Sequence, residues 1–132
     1  MISWFEKHNK ISWIITIIGA IAIFYVSSLS FGSGGTGLNL KATLYHIFAF
    51  FLFAFFLLIS LIKGQRKQLV FIAGILIAVI YCISDEIHQF FVPGRSASVF
   101  DVFLDSIGIL SASVIYLNSV NNNHRVQIND KP

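Results

Sequence analysis

Residues 84–105 read SDEIHQFFVPGRSASVFDVFLD. Asp85, Glu86, Asp101 and Asp105 within this stretch are four of the six acidic residues in a chain of 132. Long apolar runs flank it on both sides. An ionisable side chain inside a transmembrane helix costs roughly 2.5–3.5 kcal/mol on insertion scales, so it persists where a partner or a function holds it. The stretch therefore raises two questions together: whether its flanks are membrane spans, and what holds its charges.

Composition answers the first. The chain is 56% hydrophobic and only 11% charged, with a mean hydropathy of +0.80, whereas soluble domains carry about 25% charged residues. A water-soluble core of this length could not hide so many Phe, Ile and Leu side chains, and large exposed apolar patches are rare on soluble monomers. Crossing a bilayer takes about 20 apolar residues in a helix. Four stretches qualify, at about 11–29, 43–62, 69–91 and 98–117, followed by a polar tail at 118–132. They must be helices, because isolated strands leave backbone groups unpaired in lipid. The expected fold is all-α: a polytopic membrane protein with a four-transmembrane-helix bundle, forming a single domain over 1–132. Lys7 and Lys10 ahead of the first run suit a signal peptide. The run is longer than a typical signal core and lacks an A-x-A site, so an uncleaved helix is expected. The single cysteine, Cys82, excludes an internal disulfide and a cysteine-cluster metal site.

The connections differ in character. Gly32, Ser33, Gly34, Gly35 and Gly37 mark a mobile loop, without the Gly-Lys-Ser/Thr ending of a phosphate-binding loop. Residues 63–68 form a short basic turn, and the tail carrying Asn121, Asn122 and Asn123 is expected to fray. Lys7, Lys10, Lys63, Arg66, Lys67, Arg125 and Lys131 fall on one side of the four spans, against Lys41 and Arg95 on the other. The excess of positive charge places both termini in the cytoplasm, in the cytoplasmic membrane. Asp85, Glu86, His88, Gln89, Asp101, Asp105, Lys41 and His46 then gather at the outer face, with Ser27, Ser28 and Ser30. Nucleic-acid binding is excluded as an expectation, because the few basic residues mostly adjoin the membrane.

Helical spacing sharpens this convergence. Asp85, His88 and Gln89 stand at i, i+3 and i+4 and share a face, while Glu86 shares one with Gln89 at i+3. Asp101, Asp105, Gly108 and Ala112 form a second stripe, whose small residues admit a close neighbouring helix. Val92-Pro93-Gly94-Arg95 suits a type II turn, closing a helical hairpin that holds the two acidic faces together. Bland readings stand beside these. Ser98-Val99-Phe100-Asp101 matches the acidic variant of a capping box. Arg95 could brace Asp85 or Asp101 as a buried ion pair. His46 and His88 could be structural hydrogen-bonding residues, and Lys41 could snorkel at the interface. The run containing Phe48, Phe50, Phe51, Phe53, Phe55 and Phe56 is lipid-facing or packing material. Asp105 is different, lying a turn deeper than any cap. Four carboxylates beside one arginine leave surplus negative charge, which needs a proton, a cation or another basic partner. That is an ordinary setting for a general acid or base. A divalent cation on oxygen ligands is the competing account; no spacing is diagnostic for zinc, so no metal or cofactor is expected.

Asp85-Glu86-x-x-Gln89, then Pro93-Gly94-Arg95, then Asp101-x-x-x-Asp105-x-x-Gly108 form an ordered motif that resembles the VanZ-like family of small integral membrane proteins. Lys41 and His46 ahead of an aromatic run continue the likeness less closely. The chain departs from the family pattern in having Asp105 where Asn is usual, and Leu40 where an Asp precedes the lysine. The family takes its name from a member associated with low-level resistance to teicoplanin, a glycopeptide antibiotic that acts outside the cytoplasmic membrane. The resemblance implies an envelope role but no particular reaction.

The leading expectation is a membrane protein whose outer polar pocket binds or modifies an envelope lipid or lipid-linked precursor. In the enzymatic form Asp85 or Glu86 acts as acid or base, Arg95 holds an anionic headgroup, and Gln89 and His88 orient the substrate. Asp101 and Asp105 position Arg95 or a cation, with His46 and Lys41 as further binding residues. The alternatives are a non-enzymatic binding protein and a proton- or ion-coupled carrier.

Overall fold

A computed structural model describes residues 2–30, 40–65 and 67–129, with side chains omitted at 123–125 and 127–129. The Gly-rich loop, Arg66, Arg125 and Lys131 of the sequence reading lie outside the described backbone or side chains. The described residues form five helices and no strand: α1 (Ile2–Lys7), α2 (Asn9–Ser27), α3 (Leu40–Ile62), α4 (Gln68–Phe90) and α5 (Val99–Asn129). Four are long and apolar enough to cross a membrane: α2, α3, α4 and the Val99–Asn122 part of α5. At 1.5 Å per residue, the 23 residues of α3 reach about 34 Å, enough for a hydrocarbon core of about 30 Å.

The centre of the bundle is α3. Half of its apolar window is buried, against 22% for α2 and 28% for α4, and it packs on α2, α4 and most extensively on α5. Its Phe50, Phe53, Ala54 and Leu57 build the core with Ile23, Ala78, Cys82, Ile109 and Ala112. The close approach of α3 and α5 depends on Gly108. A Cβ there would lie 2.3 Å from the Ile47 carbonyl oxygen and 2.9 Å from the Phe51 nitrogen. Two backbones meet in that gap, as the small-residue stripe predicts. Outward-facing Ile14, Ile17, Ile18, Ile21 and Phe24 of α2 are more than half exposed, which suits a helix bathed in lipid.

Two elements differ from the sequence reading. The first residues fold back as α1, where Ile2 and Phe5 pack on a second core cluster of Leu58, Ile59, Ile62, Tyr116 and Val120. The tail does not fray at Asn118 but continues α5 to Asn129. No Gly or Pro interrupts 109–131, and buried Val120 anchors the extension. Asn costs a helix only a few tenths of a kcal/mol relative to better formers, about 0.7 at most, so the intrahelical ladder carries on.

The turn between α4 and α5 forms as its residues predict. Arg95 N donates to the Val92 carbonyl at 3.1 Å, and Gly94 takes φ +80°, the left-handed value that a type II turn requires at its third residue. This turn, the end of α2 and the start of α3 make one end of the bundle, called here the hairpin end. The opposite, terminal end holds α1, the Lys63–Gly64 turn and the outer part of α5.

Candidate functional site

The polar residues at the hairpin end form two connected layers. Gln89 organises the first, because a carboxamide both donates and accepts. Its Nε2 donates to Asp85 Oδ2 at 2.9 Å and to Glu86 Oε1 at 3.1 Å, and its Oε1 accepts from Arg95 Nη2. Arg95 Nη1 also donates to the Leu29 carbonyl at 3.3 Å, just past the end of α2, where helix carbonyls lack intrahelical partners. Thus the guanidinium is held by two neutral oxygens. Among the described residues it makes no ion pair with a carboxylate: the salt bridges are those of His46. The expected Arg95 brace on Asp85 or Asp101 is replaced by a relay through Gln89.

The second layer centres on His46 of α3. Its Nδ1 lies 2.9 Å from Asp105 Oδ1, with Asp105 wholly buried. Cys82 Sγ donates to the other Asp105 oxygen at 3.5 Å. An ionised carboxylate only accepts, so with Asp105 ionised the imidazole proton sits on Nδ1 and the Nε2 lone pair faces outward. Nε2 looks toward Asp101 Oδ2 at 3.9 Å, with the Asp101 side chain 27% exposed.

Glu86 joins the layers. Its Oε2 accepts the Ser98 backbone N–H at 2.8 Å, while Ser98 Oγ accepts the Asp101 N–H at 3.3 Å. Half of the expected capping box is therefore present: Ser98 caps the first turn of α5. The reciprocal bond, which Asp101 would make to Ser98 N–H, is made by Glu86 from α4 instead. That exchange leaves the Asp101 carboxylate directed at His46 and locks α4 to α5. Asp85 has a different fate. The residue is 5% exposed, and its Oδ1 is buried with no hydrogen-bond partner among the described residues.

The predicted set thus divides. Asp85, Glu86, Gln89, Arg95, Asp101, Asp105 and His46 come together. His88 does not, although it shares a helical face with Asp85: Ser28 Oγ lies 3.0 Å from its Nε2, and its ring packs on Phe24 at 4.4 Å. That contact fastens α4 to α2. Lys41 is exposed at the start of α3, where with Tyr45 and Val26 it lines the hairpin-end mouth of an apolar groove of about 590 Å³ between α2 and α3. The acidic stripe of α5 faces α3 more than α4, so its main partner is a histidine on α3 rather than the other half of the hairpin. Cys82 and Ser98 were absent from the sequence reading of the site. The signal for Cys82 was its position three and four residues before Asp85 and Glu86, on their helical face.

Comparison with curated proteins and with solved structures finds no match. A family model, VanZ/LLP1, matches residues 3–120, a span that takes in α2, α3, α4, the hairpin turn and every residue of the cluster. With four membrane-length helices and a family match over nearly its whole length, the chain belongs to the VanZ/LLP1 family of membrane proteins.

Proposed function

We propose that the hairpin end faces away from the cytoplasm and receives the anionic headgroup of an envelope lipid or lipid-linked precursor. The observation that carries this reading is the state of Arg95. Four carboxylates lie at the same end of the bundle, yet the guanidinium is held by the Gln89 and Leu29 oxygens and pairs with none of them. A guanidinium positioned by neutral acceptors keeps its charge available for a phosphate or carboxylate, which it grips through paired donors. Asp85 Oδ1, buried and without a partner among the described residues, is the acceptor for a proton, or for a hydrogen bond from a hydroxyl, of a bound headgroup. Gln89 holds the carboxylate in place through its other oxygen. The groove between α2 and α3 opens beside Lys41 and runs inward past Phe48 and Leu52, giving an acyl or isoprenoid tail an apolar path. In the enzymatic form of this reading Asp85 or Glu86 moves the proton while Arg95 bears the developing negative charge.

The first and last described residues, Ile2 and Asn129, lie at the end opposite the cluster, and the basic residues Lys7, Lys10, Lys63 and Lys67 lie there too. The positive-inside rule then supports a cytoplasmic placement for that end and an envelope-facing cluster. A part in resistance to teicoplanin-type glycopeptides, whose targets lie on that side, belongs to the same reading. A carrier is less well supported, because the core of Phe50, Phe53, Ala54 and Leu57 separates the polar ends.

The test is mass spectrometry of lipids retained by the protein purified in mild detergent. Native protein should retain an anionic species, and Arg95→Gln should lose it by about tenfold or more, as expected for a charged hydrogen bond worth roughly 1.5–3 kcal/mol. Equal lipid profiles in the two proteins would remove the proposal.

A further inference from the structure

We propose that His46, Glu86 and Asp101 form a binding site for one divalent transition-metal ion of the zinc class. This site shares Glu86 with the headgroup reading but does not rest on it, because metal binding is measured without any lipid. One potential ligand atom from each residue lies within 4.8 Å of the other two. A tetrahedral centre with bonds near 2.1 Å holds its ligand atoms about 3.4 Å apart. The 3.9 Å between His46 Nε2 and Asp101 Oδ2 needs to close by about half an ångström, and no pair of ligand atoms by more than about 1.4 Å.

Three further observations point to a cation. First, His46 is 4% exposed, and among the described residues its Nε2 has no hydrogen bond. The approach of Asp101 at 3.9 Å is too long to count as one. The ring nitrogen that Asp105 does not bind therefore faces the Asp101 carboxylate across a space wider than a hydrogen bond. Second, Asp105 binds the opposite ring nitrogen at 2.9 Å. A carboxylate behind a ligating imidazole fixes the ring and raises its basicity, an arrangement that recurs behind metal-bound histidines. Third, Glu86 is fixed by Gln89 Nε2 and Ser98 N–H, and each of its oxygens keeps a second lone pair.

Charge agrees with geometry. Asp85, Glu86, Asp101 and Asp105 share one end of the bundle with a single guanidinium that binds neutral oxygens, and buried charges are stable when paired or on a metal. An imidazole with two carboxylates suits zinc and its first-row neighbours better than calcium or magnesium, which take oxygen ligands alone. Three protein ligands leave a fourth position for water or substrate. The donors come from three helices, which is why no spacing along the sequence announced them.

The experiment uses full-length protein in detergent, stripped with a chelator and titrated with ZnCl2 by calorimetry, with bound metal counted by mass spectrometry. Native protein should bind one Zn²⁺ per chain. His46→Asn, Glu86→Gln and Asp101→Asn should each lose that ion. Asp105→Asn, a positioning change, should weaken binding about 10–100-fold with the stoichiometry unchanged. His88→Asn, outside the site, should bind as native protein does. No stoichiometric binding, or binding that survives all three ligand substitutions, overturns the site. If a substituted chain does not fold, zinc-edge X-ray absorption of native protein decides: one imidazole nitrogen with oxygen neighbours supports the site. A sulfur neighbour, or two or more imidazoles, overturns it.

Discussion

At the terminal end of the bundle, the polar side chains close onto hydrogen-bond partners within the fold. Tyr116 donates to Glu6 Oε1 at 3.1 Å and accepts the Gly64 N–H at 3.2 Å. Asn9 Nδ2 donates to the Ser60 carbonyl, and the hydroxyls of Ser12, Thr16 and Ser60 donate to helix carbonyls at 2.7–2.9 Å. At the hairpin end four carboxylates, an imidazole and a guanidinium crowd together. Among the described residues, a buried oxygen of Asp85 lacks a partner there, His46 Nε2 stands 3.9 Å from Asp101, and Arg95 is held without an ion pair. Completed hydrogen bonds fix a structure, whereas incomplete ones leave capacity for something else. The terminal end reads as a clamp for α1, and the hairpin end as a receptor.

That contrast can be broken at its foundation first. Gly108→Val places side-chain atoms where α3 and α5 touch backbone to backbone, below Asp105. It should destabilise the bundle by about 3 kcal/mol or more and abolish ligand binding as well. A thermal melt in detergent checks the first effect. Retention of native stability would show that the helices are not so closely packed. Next in size is Arg95→Gln, expected to cost less than about 1.5 kcal/mol of stability while ending lipid retention. A protein that unfolds with this change would make Arg95 a brace after all.

Two smaller changes sharpen the comparison. Tyr116→Phe removes the hydroxyl shared by Glu6 and Gly64. It should lower stability by about 1–2 kcal/mol with no effect on lipid or metal binding, as seen in the melt and the titration. Asp85→Asn keeps the shape and a carbonyl oxygen but removes a buried charge. Stability should stay within about 1 kcal/mol of native or rise, while any lipid turnover is lost. A large loss of stability would mean that the Asp85 charge serves the fold.

Much of this was legible in the sequence, for physical reasons that also mark the limit. Four apolar runs had to become helices, since lipid offers the backbone no other partner. Pro93 and Gly94 fixed their turn locally. Gly108 and Ala112 revealed a close-packed stripe but not which helix fills it, because that choice depends on the whole bundle. His46 and Asp105 are 59 residues apart, and no local pattern links them. The capping box shows the same boundary. Ser98 and Asp101 carried its chemistry, yet Glu86 from another helix took one of its bonds. The fold-back of α1 was hidden for a similar reason, since Glu6 and Asn9 meet their partners only across the bundle.

The most direct test of the contrast measures melting temperature and retained lipid on the same preparations of native, Arg95→Gln and Tyr116→Phe protein. The account predicts a crossed result: Arg95→Gln loses lipid with little loss of stability, and Tyr116→Phe melts earlier with its lipid intact. Two variants that lose lipid and stability in parallel would contradict the division of the bundle into a structural end and a receptor end.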